Sequence, residues 1–419
     1  MLNHYKFVLL SLFVGGSLSA QTLSLQESID GVLQNYPDVK TFELKVKESQ
    51  ASYKSAFSAY LPQINLEAQY NATQTYVLPQ NGIFNTKDDS GWNAGLTLKQ
   101  KIWDFSKTSS QVDAQKVQKD ISNLSLKDFK ALLAYKVKGL YALMVVQDEA
   151  IKVRQKDLEA KKAYYAQAEA LVAQGLKTKA DASRFLSAVY EAKDALYSAK
   201  SSYEKARNTL SLYMNKKIAD DVVLDESVII KKTVDLKDIE KEVFTKNYNL
   251  LIDAKTVQKN MLLHKSAQAS HYGSLDAVAS YNRVDTLNAY DTTLAGVTLN
   301  IPLYSGGRVS AEAQKAEIGA QVSKEQKRSR EIALKEEVDN LLYDIRKYEH
   351  TIAAKNAQLT AAKEAKKVLD GRYKAGLATY IEVLDATTQV LNAKLALLQA
   401  YYLRTLSLDR IDYLKGEMK

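Results

Sequence analysis

The chain has 419 residues, which is enough for two or three ordinary domains. It contains no cysteine, and this excludes a disulfide framework, a thiolate metal site and a lipid-modified N-terminal cysteine. The formal charge is +9, but basic and acidic residues are interleaved along the predicted helices, so most of this charge is interpreted as a solvated helical surface.

The first 20 residues have the pattern of a secretory signal. Lys6 precedes a short apolar core at residues 7–14, and small residues follow it. The core is too short to cross a bilayer as a helix, so we expect cleavage after Ser19 or Ala20; a retained membrane anchor is the alternative. No later segment has about 18 consecutive apolar residues, so any part of the exported chain that spans a membrane must do so with strands. Export also argues against nucleic acid as a partner.

A helix and two strands are predicted next. Ser24 and Glu27 have the spacing of a capping box, and Pro37 marks a kink or a restart of the helix. Residues 64–73 and 92–102 then alternate apolar and polar side chains, which is the period of a strand. About ten residues is the length of a tilted transmembrane strand, whereas a soluble sandwich with one wet face is the alternative interpretation.

Long helical hairpins follow the strands. Residues 106–171 contain no strong helix breaker, and at ~1.5 Å per residue they predict a helix ~100 Å long. A turn at Gly175 and a returning helix over residues 178–214 come next. The returning helix has apolar residues at alternating steps of four and three, the rhythm of a coiled coil.

The same unit then recurs. Gly95 and Gly296 match at an offset of 201 residues, as do Gly175 and Gly376, whereas the residues upstream match at an offset of 211. The second copy therefore has a loop ten residues shorter, strands over residues 275–281 and 295–303, and helices over 307–372 and 379–414. The predicted organisation is a signal (1–20), a first repeat (21–214), an equatorial linker (215–236) and a second repeat (237–419).

These parts predict an oligomer with a pore. Four strands cannot close a barrel, and an open sheet edge cannot sit in lipid with its backbone groups unpaired. Two chains would give eight strands, which side chains fill, whereas three would give twelve and leave a lumen. The last helix carries apolar stripes on two nearly opposite sides, so it needs a neighbour on each side, as in a bundle or a closed ring of helices.

The sequence resembles the TolC-like outer-membrane efflux protein family (outer membrane factors) over nearly its whole length after the signal. The segments that carry the resemblance are SLQE at 24–27, NYP at 35–37, LPQ at 61–63, IPLYSGGR at 301–308 and YKAGLATYIEVLDA at 373–386. The resemblance implies a mixed α and β membrane protein: a homotrimer in the outer membrane, with four strands per protomer in a shared twelve-stranded β-barrel and a periplasmic coiled-coil tube. It also implies a periplasmic adaptor protein and an inner-membrane pump as partners.

The resemblance places functional residues at the hairpin turns. Adaptors would dock at Gly175, Leu176, Gly376 and Leu377, although each glycine is also explained as a left-handed helix end. A periplasmic gate would use Asp181, Glu382 and Asp385, although each carboxylate is also explained by the helix dipole. The family often has an arginine tether where this chain has Ala378, so the tether is either absent or rebuilt from Lys177, Lys179 or Tyr373.

No enzyme, cofactor or metal site is predicted. The four histidines are scattered, and no zinc-protease or phosphate-loop spacing occurs. The leading hypothesis is the exit duct of a tripartite efflux or type I secretion system, passive and gated at the periplasmic tip. The alternative is a periplasmic coiled-coil structural or adaptor protein.

Overall fold

The computed structural model describes residues 22–80, 82–230 and 237–417. The predicted signal and the end of the predicted linker lie outside these residues. The helices are α1 (Leu25–Asn35), α2 (Pro37–Phe57), α3 (Lys107–Ala173), α4 (Lys179–Met214), α5 (Ser227–Ile230), α6 (Ile239–Lys246), α7 (Tyr248–Ala269), α8 (Arg308–Lys374) and α9 (Tyr380–Leu414). The strands are β1 (Thr22–Leu23), β2 (Gln63–Gln80), β3 (Ile83–Trp103), β4 (Val223–Leu224), β5 (Ser274–Asp285) and β6 (Ala289–Asn300).

The helices form a layer four helices wide. The long helices α3 and α8 have 67 residues each, so each runs ~100 Å through the whole layer. In the half near the strands the order is α8, α7, α3, α2, and in the other half it is α8, α9, α3, α4. The two hairpin turns therefore lie together at the end of the layer that is remote from the sheet.

The predicted helix bounds are confirmed to within about two residues, because local signals set them. Ser24 accepts a hydrogen bond from the Glu27 N–H (3.1 Å), which is half of the predicted capping box. Pro37 begins a new helix, at a position where a backbone N–H would have no partner within the helix.

The sheet is antiparallel, with the order β2-β3-β5-β6. The predicted alternation places apolar side chains on one face and polar side chains on the other. Gly95 lies on the polar face opposite Asn282, whose Oδ1 would be 1.9 Å from an added Cβ, so the glycine makes room for this side chain. Only one edge of β2 and one edge of β6 is paired within the described chain.

We predicted that the first β-hairpin (β2-β3) has a longer loop than the second (β5-β6). Instead, its strands are longer. β2 and β3 have 18 and 21 residues, whereas β5 and β6 have 12 each. The extra residues of the first β-hairpin mix polar and apolar side chains without regular alternation, so their pattern resembled a loop. Cross-strand pairing extends the ladder to Gln80 and Ile83. The fourth strand also ends at Asn300 rather than at residue 303, because Pro302 lacks the N–H that a ladder needs.

A belt of short elements packs against the middle of the helical layer. β1 pairs in parallel with β4, from the predicted linker, and α1 and α5 pack beside them on α3. The buried Tyr141 hydroxyl donates to the Leu23 carbonyl (2.7 Å) and accepts from the Asp225 N–H (2.9 Å), which joins the belt to α3. None of the described helices combines the length and the apolar character needed to cross a bilayer.

Candidate functional site: the hairpin tips

Both hairpin turns end their first helix in the same way. Gly175 and Gly376 have φ values of +73° and +74°, a region that disfavours other residues. In each turn the glycine N–H and the next N–H bond back to carbonyls of the last helical turn, at 3.0 and 2.9 Å in the first turn and 3.0 and 2.8 Å in the second. This is the Schellman arrangement, so both predicted docking glycines have a structural role.

The leucines after these glycines point away from the protein. Leu176 is 66% exposed and Leu377 is 69% exposed, although a leucine at this position of a Schellman turn usually packs on its own helix. Each tip thus presents an apolar side chain to solvent at the end of the helical layer.

Two of the three predicted gate carboxylates close capping boxes. Asp181 accepts from the N–H and the hydroxyl of Thr178 (3.1 and 2.9 Å), and Glu382 accepts from those of Thr379 (2.6 and 2.8 Å). The backbone bond is the main cause that lowers the pKa of each carboxyl group, so both stay ionised well into acid. Asp385 is exposed one turn further along α9 and accepts from the Gln389 amide (2.8 Å).

An aromatic cluster joins the two hairpins just behind the turns. Phe185 of the first hairpin meets Tyr373 and Tyr380 of the second, with ring centroids 6.0 and 5.9 Å apart. Ala378, where the family often has arginine, is 5% exposed and belongs to this apolar cluster. Tyr373 is also buried in the cluster.

A polar clasp beside this cluster was missed by the sequence analysis. The Tyr164 hydroxyl on α3 donates to Asp370 Oδ1 on α8 (2.5 Å) and accepts from Lys366 Nζ (2.9 Å), which also bonds Asp370 Oδ2 (2.5 Å). Burial raises the pKa of Tyr164; burial also disfavours the Lys366 ammonium, but its bonds to Asp370 and Tyr164 outweigh this and raise its pKa. At neutral pH the Tyr164 phenol therefore stays protonated and Lys366 stays an ammonium. The clasp is a polar link between α3 and α8 beside the cluster that contains Ala378.

Among the described residues, one cluster of carboxylates is close enough together to hold a cation, and a lysine already occupies it. Asp148, Glu149 and Glu226 converge where the belt meets α3. Lys152 Nζ sits between them at 3.0, 2.6 and 2.9 Å, so an ammonium takes the place a metal would need.

Comparisons with known proteins agree with this geometry. The model of the family "Outer membrane efflux protein" matches residues 28–216 and 258–417. The outer membrane protein TolC of Escherichia coli is 25% identical, over 94% of this chain and 83% of its own length. In fold, the chain is similar to a membrane protein from Pseudomonas aeruginosa (TM-score 0.83, 18% identity, 95% and 91% of the two chains). It is also similar to the outer membrane protein VceC of Vibrio cholerae (TM-score 0.82, 17% identity, 94% and 97%).

The family match covers both helical hairpins, their strands and both tips. The chain belongs to the outer membrane efflux protein family and is a TolC-like, non-enzymatic transport protein of the outer membrane with a helical tunnel in the periplasm.

Proposed function

We propose that three copies of this chain form the passive exit duct of a tripartite efflux or type I secretion system, closed by a gate at the periplasmic tips. The observation that carries the proposal is that, within the described residues, the sheet has two edges without a partner strand and the helical layer has exposed apolar side chains at both edges. Such edges on both sides of a protomer are matched when copies close into a ring.

The sheet edges need partners in the membrane. β2 and β6 each leave one row of backbone groups unpaired within the described chain, and an unpaired row costs several kcal/mol per group in hydrocarbon. Pairing β6 of one copy with β2 of the next in a ring of three gives twelve strands. The exposed apolar face, with Leu66 and Leu299, then meets lipid, and the face of Asn65 and Glu67 lines the lumen.

Both edges of the helical layer carry exposed apolar side chains. On α8, large exposed side chains fall within an arc of about 80° on the side away from α7 and α9: Ile318, Val322, Ile332, Tyr343 and Val368. On α4, at the opposite edge of the layer, Tyr190 and Tyr197 are exposed in the same way. Contact of α8 of one copy with α2 of the next near the sheet, and with α4 of the next near the tips, buries these side chains and closes a tube of twelve helices.

The tips supply the gate and the contact with partners. Threefold symmetry places Asp181, Glu382 and Asp385 in rings of three, which form an acidic constriction for cations. Capping hydrogen bonds hold the carboxylates of Asp181 and Glu382 in position. Asp385 does not belong to either capping box. The exposed Leu176 and Leu377 dock a periplasmic adaptor, which connects the duct to an inner-membrane pump.

The alternative, a periplasmic coiled-coil adaptor, is less well supported. It has no use for a four-stranded sheet with one exposed apolar face, and the family assignment is to outer-membrane proteins.

Conductance across a planar bilayer tests the proposal. Purified protein should insert and give discrete steps, and a trivalent cation added on the tip side should block them. The double variant Glu382→Ala, Asp385→Ala should weaken this block, whereas Glu364→Ala, an exposed change on α8 outside the tip, should not. Protein that folds but gives no steps contradicts the duct; steps with unchanged block in the double variant contradict only the gate assignment.

A further inference from the structure

A groove of about 590 Å3 lies between the end of α7 and the beginning of α8. It is close to the positions where β3 ends at Trp103 and α8 begins at Arg308, so it lies where the sheet gives way to the helical layer. If the strands lie in the bilayer, as the proposed function requires, this level is the periplasmic surface of the outer membrane.

An aromatic ladder connects the groove to the apolar face of the sheet. Phe105 lines the groove, and its ring lies 5.3 Å from that of Tyr272 and 6.1 Å from that of Trp103. Trp103 is the cross-strand partner of Leu275, which places it on the apolar face. All three rings are exposed, and aromatic side chains with a polar tip favour the boundary between lipid and water. The groove therefore opens on the face assigned to lipid.

The segment before α8 extends the same apolar surface. Leu303 is 95% exposed and Tyr304 is 90% exposed. Side chains of this size are rarely left so bare in water, whereas a lipid boundary accommodates both of them.

The walls of the groove carry unpaired charges of both signs. Lys265 makes no ion pair within the described residues, and Glu317 accepts there only one long bond, from Gln321 (3.5 Å). These two side chains do not pair with each other. The groove thus offers one ammonium and one carboxylate that are free to meet opposite charges.

Neutral donors and acceptors lie beside the charges. His271 donates its Nδ1–H to the Gln268 carbonyl (3.1 Å), which leaves Nε2 to accept from the Ser310 hydroxyl (3.3 Å). A ligand oxygen near Ser310 can accept the hydrogen bond of this hydroxyl in place of His271 Nε2. The exchange leaves no buried group unsatisfied, because both side chains are exposed.

We propose that this groove binds the headgroup of a zwitterionic phospholipid from the periplasmic leaflet. Lys265 and Ser310 contact the phosphodiester, Glu317 contacts the headgroup ammonium, and the acyl chains lie along Trp103 and Tyr272. A headgroup with only negative charge leaves Glu317 unpaired and repelled, so the groove favours a phosphate that carries an amine. The proposal rests on the proposed function, because it requires the strands to be in the membrane.

Native mass spectrometry of the protein in detergent tests the proposal. Phosphatidylethanolamine and phosphatidylglycerol with identical acyl chains are titrated separately, and the first should be retained about tenfold more tightly. Lys265→Gln should lower the retention of both lipids about tenfold. Glu317→Gln should remove the preference between them. Lys315→Gln, the same charge change on α8 outside the groove, should leave both unchanged.

The outcomes separate this site from the duct itself. Equal retention of the two lipids, or variants that behave like Lys315→Gln, overturns the lipid site while bilayer conductance still supports the duct. Free phosphoethanolamine, which lacks acyl chains, should not displace the lipid at equal concentration; displacement assigns the groove to a soluble phosphate ester and overturns the lipid proposal. Variant folding is checked by the trimer mass in the same spectra.

Discussion

The Tyr164 clasp gives the sharpest test of how the two hairpins are held together. Tyr164→Phe keeps the ring against Phe185 and Tyr373 but removes the hydroxyl that joins α3 to α8. Asp370 and Lys366 then lose their link to α3, although they still pair with each other on α8.

The size of the effect follows from the exposure of the clasp. A hydrogen bond to a charged group contributes about 1.5–3 kcal/mol. The side chains of Lys366 and Asp370 are 23% and 29% exposed, so solvent screens the interaction and the lower end applies. A loss of about 1.5 kcal/mol per protomer shifts the equilibrium between clasped and parted hairpins about tenfold towards parted.

Single-channel recording measures this shift as a longer open dwell time. Tyr165→Phe is the matched control, because the Tyr165 hydroxyl bonds Glu169 on the same helix and joins nothing across the hairpins. A double-mutant cycle with Asp370→Asn should give non-additive effects. Equal dwell times for the Tyr164 and Tyr165 variants would refute the clasp.

Further predictions concern the tips and the buried core. Gly376→Ala should cost about 1 kcal/mol because φ is +74°, whereas Gly371→Ala, inside α8 with open space around it, should stabilise by up to about 1 kcal/mol; thermal unfolding compares them. Because the backbone bond lowers the pKa of Glu382, its charge should persist as pH falls from 7 to 5 and be lost only below the usual value of 4.5; a block that disappears near pH 6 would exclude this carboxylate. Lys138→Met should cost about 3–5 kcal/mol, since it removes the buried ammonium that lies 3.5 and 4.0 Å from two buried aspartates on α9, and the exposed Lys136→Met should change stability little; denaturant unfolding measures both.

The sequence predicted the helices better than the strands, for a physical reason. Helix ends at Gly175 and Thr379 depend on cap residues a few positions apart, so the signal is local. Strand β2 extends to Gln80 because it pairs with β3, although its last residues show little alternation. Pairing of this kind depends on both segments together, so neither segment alone predicts it.

The clasp shows the limit of the sequence analysis at the site. Tyr164 and Asp370 are 206 positions apart, and neither stands in a motif. Their contact depends on how the two helical hairpins pack side by side. The repeat predicts that the two hairpins exist, but it does not predict which of their residues meet. The tip carboxylates were located by motif, but the capping bonds of Asp181 and Glu382 became visible through the threonine hydroxyls beside them.

The mass of the folded particle in detergent tests the central claim most directly. The unpaired edges of the sheet and of the helical layer predict three copies per particle, resistant to mild denaturant and dissociated by heat. A stable monomer that stays in solution without detergent would contradict the account, because both sets of edges would then be satisfied by water.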